Sequence, residues 1–507
     1  MQEKISSTGR RLIELLVFLV LFMFLSNNLL NVLNIKKGDE GLYPRLYSVY
    51  SGHYRNADVV FAGSSHAGQM IGRQLWRDHG IAAFTIADDS QPVDIMYHQM
   101  KEYLKFHKPK IFLVETAIIP DDSIDEPDTE YSGRTANDAY FRYSLNYAAL
   151  IAEQIKNYNI PIKDEGIQLL LKWPLMHDRY KKLTRDDYVM EQPYINTTFD
   201  PLYSVPDEEV EIVPTDERAE ISSLGADYLN RIIRLCRQNK VQLILFHTPY
   251  PAHEVSMAQQ NTLSDIAAKE GIPFLDFNYL LDEIDFNIQE DLARDLNHLN
   301  YYGSSKVTGY IGDYLKANYD LDDHRNTPGY EDWDKDLKAW ENAPIIQEMR
   351  EVTDIMAYSD VLKKYAKDYV VIMSLCGNYP IGEEPVRSMV DSAAPGTDFF
   401  EKGGAMVIDH GEICFYSDGA PFYLFTHKYG DADIVVDRKL PNEEYAALLP
   451  KENDNDGIEI RLDQYAKVLN GMNITVFDDF TGEVIDSVGI DVYQSLDTLF
   501  RTKVVYE

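Results

Sequence analysis

The sequence predicts an α/β protein of two domains that follow one membrane-spanning helix. Three observations predict this: an apolar segment near the N-terminus, short apolar strands that alternate with amphipathic helices, and further strand patterns after a charged connection. A chain of 507 residues is longer than one average domain. Its 45% of hydrophobic residues are enough to form large cores.

The N-terminal segment determines the expected compartment. Residues 12–33 form an apolar stretch of the ~20-residue length that crosses a bilayer, and Lys4, Arg10 and Arg11 precede it. These basic residues favour a cytoplasmic tail over 1–11 and an extracytoplasmic body. A cleaved signal peptide is the alternative, although no clear small-residue cleavage site follows the stretch. We therefore expect a single-pass protein of the cell membrane.

The first domain is predicted over 40–321. Its strand-like segments are 58–63, 81–88, 110–119, 241–251 and 272–277, and its helical patterns cover 93–107, 217–240, 254–270 and 302–317. Short apolar strands alternating with helices are typical of a parallel sheet between two layers of helices, in which ligands bind beyond the carboxyl ends of the strands. Residues 121–215, acidic and rich in tyrosine, interrupt the pattern and are interpreted as a helical insertion that could cover the site.

A smaller α/β domain is predicted over 346–507, after a charged linker over 322–345. Its strand candidates are 368–376, 405–416, 473–478 and 481–486.

Composition excludes several classes of partner and site. The net charge of −35 argues against nucleic acid as a partner, because phosphates would be repelled. The three cysteines, Cys236, Cys376 and Cys414, cannot form a disulfide framework and do not have the spacing of metal ligands. We expect no metal site and no cofactor.

Two short segments predict chemistry. In "ADVVFAGSSHAGQM", 57–70, a buried strand ends in a tight turn that presents Ser65. In "DLNHLN", 295–300, Asp295 and His298 are three residues apart and so lie on one side of a turn. Each motif alone is more often structural, a plain turn or a helix cap. Together, at opposite ends of one α/β domain, they predict a nucleophile, a base and a carboxylate that orients the base.

These motifs resemble the SGNH/GDSL hydrolase superfamily. The Gly-Ser-Ser form, the N-terminal anchor and the "DLNHLN" ending are most similar to the branch of the D-alanyl transfer protein of teichoic acid synthesis and the alginate O-acetylation proteins. The resemblance implies Ser65 as nucleophile, with His298 and Asp295 completing the triad. It also implies a multi-pass membrane O-acyltransferase as the partner that supplies the acyl group.

The sequence departs from the superfamily where the oxyanion hole is expected. "VETAII", after the third strand, lacks the family's asparagine, and "IADDSQPVD" offers Ser90 and Gln91 in place of a glycine. A hole could come from the backbone N–H of Ser65 and one near Ser90. His66 is expected to line the cleft, whereas His247 and Glu115 are weaker candidates for its wall.

Two further expectations concern function. The second domain weakly resembles the interleukin-like EMT inducer type of domain, which implies either a binding module or a structural appendage.

For the whole chain we expect a serine acyltransferase or esterase that transfers or removes an acyl group, most simply acetyl, on a cell-surface polysaccharide or teichoic-type polymer. The alternatives are a plain hydrolytic deacetylase and a non-catalytic glycan-binding or assembly scaffold with the same fold.

Overall fold

The computed structural model describes most of the chain beyond residue 55. The described residues are 56–120, 141–171, 202–376, 384–420, 423–429, 432–438, 458–461, 465–468, 471–491 and 495–504, with shorter runs between 11 and 54 and at 179–183. They divide into two compact units, Met1–Asp336 and Leu337–Glu507.

The first unit is built on a five-stranded parallel sheet, which confirms the predicted α/β class. Its strands are β1 (Val59–Gly63), β2 (Ala83–Ala87), β3 (Ile111–Glu115), β4 (Gln242–His247) and β5 (Phe274–Asp276). They are ordered β2-β1-β3-β4-β5 and all pairs are parallel. The chain reverses its direction of travel across the sheet between β1 and β3. Ligands of open parallel sheets bind outside the carboxyl ends of the strands at such a point.

The helices of this unit are α1 (Ser65–Gly68), α2 (Gly72–His79), α3 (Val93–Phe106), α4 (Leu145–Asn157), α5 (Ile167–Leu171), α6 (Ser223–Asn239), α7 (Glu254–Glu270), α8 (Ile288–Asp291) and α9 (Tyr301–Asn318). Strands β1, β2 and β3 are buried along their whole length, so both faces of the central sheet are covered. Val59 and Phe61 pack in one core with Leu75 of α2 and Val307 of α9.

Helix α6 starts six residues later than the periodicity predicts, because the chain before it is bound elsewhere. The Asn261 side chain donates to the carbonyls of Thr215 and Glu217. The Ser222 hydroxyl then accepts from the N–H of Gly225 and caps the helix. The helical pattern therefore includes residues 217–222, which tertiary contacts hold outside the helix.

The predicted insertion is partly described. Helix α4 confirms the helical pattern at its start and packs on α3. Its Glu153 accepts a bidentate pair from Arg231, a bond from the Tyr228 hydroxyl and one from His98. Residues 121–140, 172–178 and 184–201 lie outside the described residues.

The N-terminal span stays a prediction, and many residues of 12–33 lie outside the described part. Within the part of the chain that is described, the structure contains no helix of the length and hydropathy needed to cross a bilayer.

The second unit is a mixed α/β body with two sheets. Its helices are α11 (Ile355–Tyr365), α12 (Glu384–Ala393) and α13 (Phe399–Lys402), preceded by α10 (Glu331–Glu351), which begins in the first unit. The strands are β6 (Val370–Cys376), β7 (Gly404–Asp409), β8 (Glu412–Tyr416), β9 (Tyr423–Tyr429), β10 (Ala432–Arg438), β11 (Ile458–Arg461), β12 (Gly471–Asp478), β13 (Glu483–Asp491) and β14 (Ser495–Phe500). An antiparallel sheet has the order β14-β13-β12-β6-β7-β8, and a smaller sheet has the order β11-β10-β9.

The segment 405–416 is two strands and not the one that its pattern predicts. Strands β7 and β8 form a hairpin whose turn residues, His410 and Gly411, both have positive φ, 48° and 84°. A two-residue turn of this kind favours glycine and matches the twist of the strands. The "DHGE" sequence carried this turn signal.

Part of the predicted linker, 322–345, packs against the first unit. The indole Nε1 of Trp333 donates to the carbonyl of Ala83, and Nε1 of Trp76 donates to Asp334. Arg73 forms a bidentate ion pair with Asp336, with both side chains buried. The first unit therefore extends to Asp336, inside the predicted linker.

We expect Asp336→Asn to lower the free energy of unfolding of the first unit by about 3–5 kcal/mol, because it leaves a buried guanidinium without its counter-charge. Asp265→Asn is the matched control, since the Arg218–Asp265 pair has similar geometry but both side chains are exposed. It should cost much less, because water screens an exposed pair. Urea unfolding followed by tryptophan fluorescence measures both, and equal costs would contradict the prediction.

Candidate active site

Ser65 lies at the carboxyl end of β1, between β2 and β3 in the sheet. Gly63 ends the strand, Ser64 precedes the single helical turn of α1, and Ser65 is the first residue of that turn. A Cβ on Gly63 would lie 2.7 Å from the Cβ of Ala67 and 2.9 Å from the Cβ of Glu115. Only glycine permits this close approach, which folds the turn back over the strand end and presents the serine hydroxyl.

The structure brings together the three side chains that the sequence predicts as a triad. Ser65 Oγ lies 2.8 Å from His298 Nε2, and His298 Nδ1 lies 2.6 Å from Asp295 Oδ2. An ionised Asp295 can only accept, so it holds the proton on Nδ1. The lone pair of Nε2 then faces the serine hydroxyl. This tautomer is the one that a serine nucleophile requires of its base.

Hydrogen bonds from backbone N–H groups to the Asp295 side chain fix the loop that carries His298. Asp295 Oδ1 accepts from the N–H groups of Asn297 and His298, each at 3.0 Å, and Leu296 takes a positive φ of 60° between them. The N–H of Ala293 closes the loop on the carbonyl of His298. The Asp295 carboxylate therefore both shapes the turn and orients the imidazole of His298.

Hydrogen bonding keeps Asp295 ionised. Partial burial alone would raise the pKa of its carboxyl, but the hydrogen bonds from the His298 ring and from the N–H groups of Asn297 and His298 outweigh burial and lower it. At neutral pH Asp295 is therefore a carboxylate that can stabilise an imidazolium on His298.

His66 lines the site as the sequence predicts and does not contact Ser65 Oγ as a base. Its Nδ1 lies 2.8 Å from Thr248 Oγ1, and its ring lies 5.1 Å from the His298 ring and 5.0 Å from that of Tyr250. Burial, helped by the neighbouring His298, lowers the pKa of His66 to about 3. His66 is therefore neutral at physiological pH.

Gln91 and Ser90, which the sequence offers near the expected oxyanion hole, differ in their surroundings. Gln91 is fully buried, and its amide nitrogen donates to the carbonyls of Gly63 at 2.9 Å and Ile86 at 3.5 Å. Gln91, which lies in the connection after β2, therefore holds the end of β1 in place. Ser90 is exposed and has a positive φ of 49°. Neither residue forms a hydrogen bond with Ser65 among those the described residues make.

Behind the triad, the ends of β3, β4 and β5 carry a buried polar cluster that sequence reasoning found only in part. His247 Nδ1 contacts Asp276 at 3.2 Å and Asn278 at 2.9 Å, and its Nε2 is buried without a partner in the described structure. Glu115 is fully buried and accepts from the N–H of Ala117. In the sequence, His247 and Asp276 each lie near the end of a predicted strand, and the structure pairs the two residues across β4 and β5.

The described end of the insertion lies beside the loop that carries His298. Ser204 accepts from the N–H of Arg294 through its hydroxyl and from the Asn300 side chain through its carbonyl. The carbonyl of Leu202 accepts from the N–H of Tyr301. The same segment carries three exposed apolar side chains, those of Leu202, Tyr203 and Val205.

No family model and no curated protein matches the sequence. Among the side chains that the structure describes, no group of three or more His, Cys, Asp or Glu could hold a metal ion.

We expect Gly63→Ala to lower the free energy of unfolding by roughly 1–3 kcal/mol and to displace Ser65, because the new Cβ collides with Ala67 and Glu115. Urea unfolding and serine labelling by a fluorophosphonate measure the two effects. Gly309→Ala in helix α9 is the control, since only the flexible amide of Gln74 lies within 4 Å of its Cβ. Labelling of Gly63→Ala at the wild-type rate would refute this role for the glycine.

We expect Glu115→Gln to change the pH dependence of stability. Burial raises the pKa of Glu115 from 4.5 to about 7, so the folded chain keeps a proton that the unfolded chain releases. Wild-type stability therefore falls as pH rises from about 4.5 through about 7, whereas glutamine does not titrate. Relative to the wild type, the variant should gain about 2–3 kcal/mol between about pH 4.5 and pH 8. Parallel stability curves would show that burial does not control this carboxyl.

Proposed function

We propose that the chain is a membrane-anchored, extracytoplasmic serine O-acyltransferase or esterase of the SGNH type. It acts on a cell-surface polysaccharide or teichoic-type polymer and transfers or removes an acyl group, most simply acetyl. The observation that carries the proposal is the continuous hydrogen-bonded series from Ser65 Oγ through His298 to Asp295. Its two distances are within the range that nucleophile activation requires.

The reaction follows from this geometry. Ser65 Oγ attacks the acyl carbon while His298 Nε2 takes its proton, and Asp295 stabilises the imidazolium. The tetrahedral intermediate collapses, the bond to the leaving oxygen breaks, and His298 returns the proton to that oxygen. The acyl-enzyme then passes the acyl group to a hydroxyl of the polymer, or to water, whose proton His298 takes up and returns to Ser65.

The partner proposal rests on the family resemblance and on the one predicted span. A single span forms no pathway by which an activated acyl group could cross a membrane. A multi-pass O-acyltransferase would supply the acyl group to Ser65. A plain deacetylase would need no such partner and would turn over small acetyl esters alone.

The scaffold alternative rests on one observation. The end of β3 and the residue after it offer Glu115 and Thr116 in place of the asparagine that supplies an oxyanion donor in the superfamily, and both side chains are buried. Loss of one oxyanion donor typically costs about 10²–10³-fold in rate, which weakens hydrolysis without abolishing it. Serine reactivity distinguishes the two functions.

We expect a fluorophosphonate to form one adduct, on Ser65, measured by intact mass of the full-length chain purified in detergent. Ser65→Ala should form none, and Asp295→Asn should label about 10²–10⁴-fold more slowly because the carboxylate no longer fixes the His298 tautomer. Removal of the base in His298→Ala should slow labelling at least as much.

Ser64→Ala is the matched control. Ser64 is the adjacent serine, it is buried, and its side chain forms no capping hydrogen bond, so the variant should label at the wild-type rate. A folded wild type that is never labelled would contradict the enzyme proposal and favour the scaffold.

A further inference from the structure

His66 follows the candidate nucleophile and has one satisfied and one unsatisfied ring nitrogen. Only 6% of the residue is exposed. Nδ1 lies 2.8 Å from Thr248 Oγ1, and this is the ring's only hydrogen bond within the described structure. Nε2 is not among the fully buried polar atoms that lack a partner, so it retains contact with solvent. A ring that is otherwise enclosed thus keeps one nitrogen that is not fully buried, in the residue that follows Ser65.

The Thr248 hydroxyl determines which nitrogen carries the proton. Thr248 is 1% exposed, and His66 Nδ1 is the only hydrogen-bond partner of its hydroxyl in the described part of the chain. If Nδ1 donated to Thr248, the hydroxyl proton would be buried without an acceptor, which costs about 1–3 kcal/mol. Thr248 therefore donates to Nδ1, and a neutral His66 carries its proton on Nε2.

The surroundings keep His66 neutral. Burial, together with the neighbouring rings of His298 and His247, lowers the pKa of His66 to about 3. This neutrality suits the proposed reaction, in which His298 becomes positive with its ring only 5.1 Å from that of His66. A second positive charge there would oppose formation of the imidazolium.

The Gln91 side chain is bound elsewhere. Its amide nitrogen donates to the backbone carbonyls of Gly63 and Ile86. The sequence has no asparagine after β3 at the place where the superfamily has one. The proposed reaction therefore needs a side-chain donor from another position, and His66 follows Ser65 directly and has its ring 5.1 Å from that of His298.

We propose that His66 Nε2–H is the side-chain donor of the oxyanion hole, and that Thr248 is the positioning residue that holds His66 in this tautomer. The inference rests on the proposed acyl-transfer function. His66 donates to the acyl oxygen as negative charge develops on it and exchanges no proton with the substrate. A neutral donor that is already oriented stabilises this charge without reorganisation during the reaction.

Paired variants of the full-length chain in detergent test the donor. His66→Leu removes the donor and retains apolar volume, whereas His66→Gln retains an N–H donor on a side chain of similar reach. We expect His66→Leu to lower the rate of fluorophosphonate labelling about 10²–10³-fold, because the phosphonyl oxygen occupies the oxyanion position. His66→Gln should recover at least about a tenth of the wild-type rate. Where p-nitrophenyl acetate is turned over, the loss should appear in kcat with KM little changed.

A second pair tests the positioning residue with a readout that does not depend on activity. Thr248→Val removes the hydroxyl at nearly constant shape, and Thr248→Ser retains it. The ¹⁵N chemical shifts of labelled histidine, assigned with His66→Gln, should show His66 protonated at Nε2 in the wild type and in Thr248→Ser. Thr248→Val should show a mixture of tautomers together with slower labelling.

The outcomes separate the two proposals. A wild type that labels on Ser65, with His66→Leu labelling equally fast, overturns the role of His66 and leaves the enzyme proposal standing. A His66 that is protonated at Nδ1 in the wild type overturns the role of Thr248 and of the Nε2 donor. A folded wild type that is never labelled overturns both. Unfolding curves of all four variants identify any loss that comes from misfolding.

Discussion

The hydrogen bond between Ser65 and His298 is the contact on which the candidate site depends, and it joins segments 233 positions apart in the sequence. A pair so distant can meet only if the intervening sheet and helices place its ends together. Helices α2 and α9 pack side by side and supply the support. The Thr308 hydroxyl accepts from the N–H of Ile71, and Gln69 accepts from the N–H of Leu299. The second bond ties the end of the serine turn directly to the histidine loop.

Sequence patterns predicted the elements that depend on local information. The five strands of the first sheet, helices α3, α6, α7 and α9, and the choice of Ser65, Asp295 and His298 as candidates follow from periodicity, turn residues and spacing, whereas helix α2 was not predicted. The start of α6 did not follow, because Asn261 and Ser222 determine it through tertiary contacts and a cap. The hairpin at 405–416 was missed for a different reason: apolar residues lie on both sides of the turn, and the strand pattern obscured His410 and Gly411.

The residues that complete the site were harder to predict because their roles arise from partners distant in sequence. The neighbouring sequence does not indicate that the Gln91 amide donates to the carbonyl of Gly63. Nor does it indicate that Thr248 contacts His66, which is 182 positions away in the sequence. Buried titratable groups also concentrate at this edge of the sheet, in Glu115 and His247. Strongly perturbed groups in a cleft are typical of functional sites, where local stability is sacrificed for chemistry. The edge that carries these buried groups is also the edge that presents Ser65.

Under the proposed reaction, the triad itself does not decide between transfer and hydrolysis. Once Ser65 carries the acyl group, His298 takes the proton from whichever hydroxyl reaches the acyl carbon, and a sugar hydroxyl and water are equivalent to its Nε2. The outcome depends on what occupies the space beside His298. Solvent reaches this space in the isolated chain, since about a fifth of the His298 side chain and half of that of Asp295 are exposed. Efficient transfer therefore requires the polymer, or a partner protein, to exclude water there.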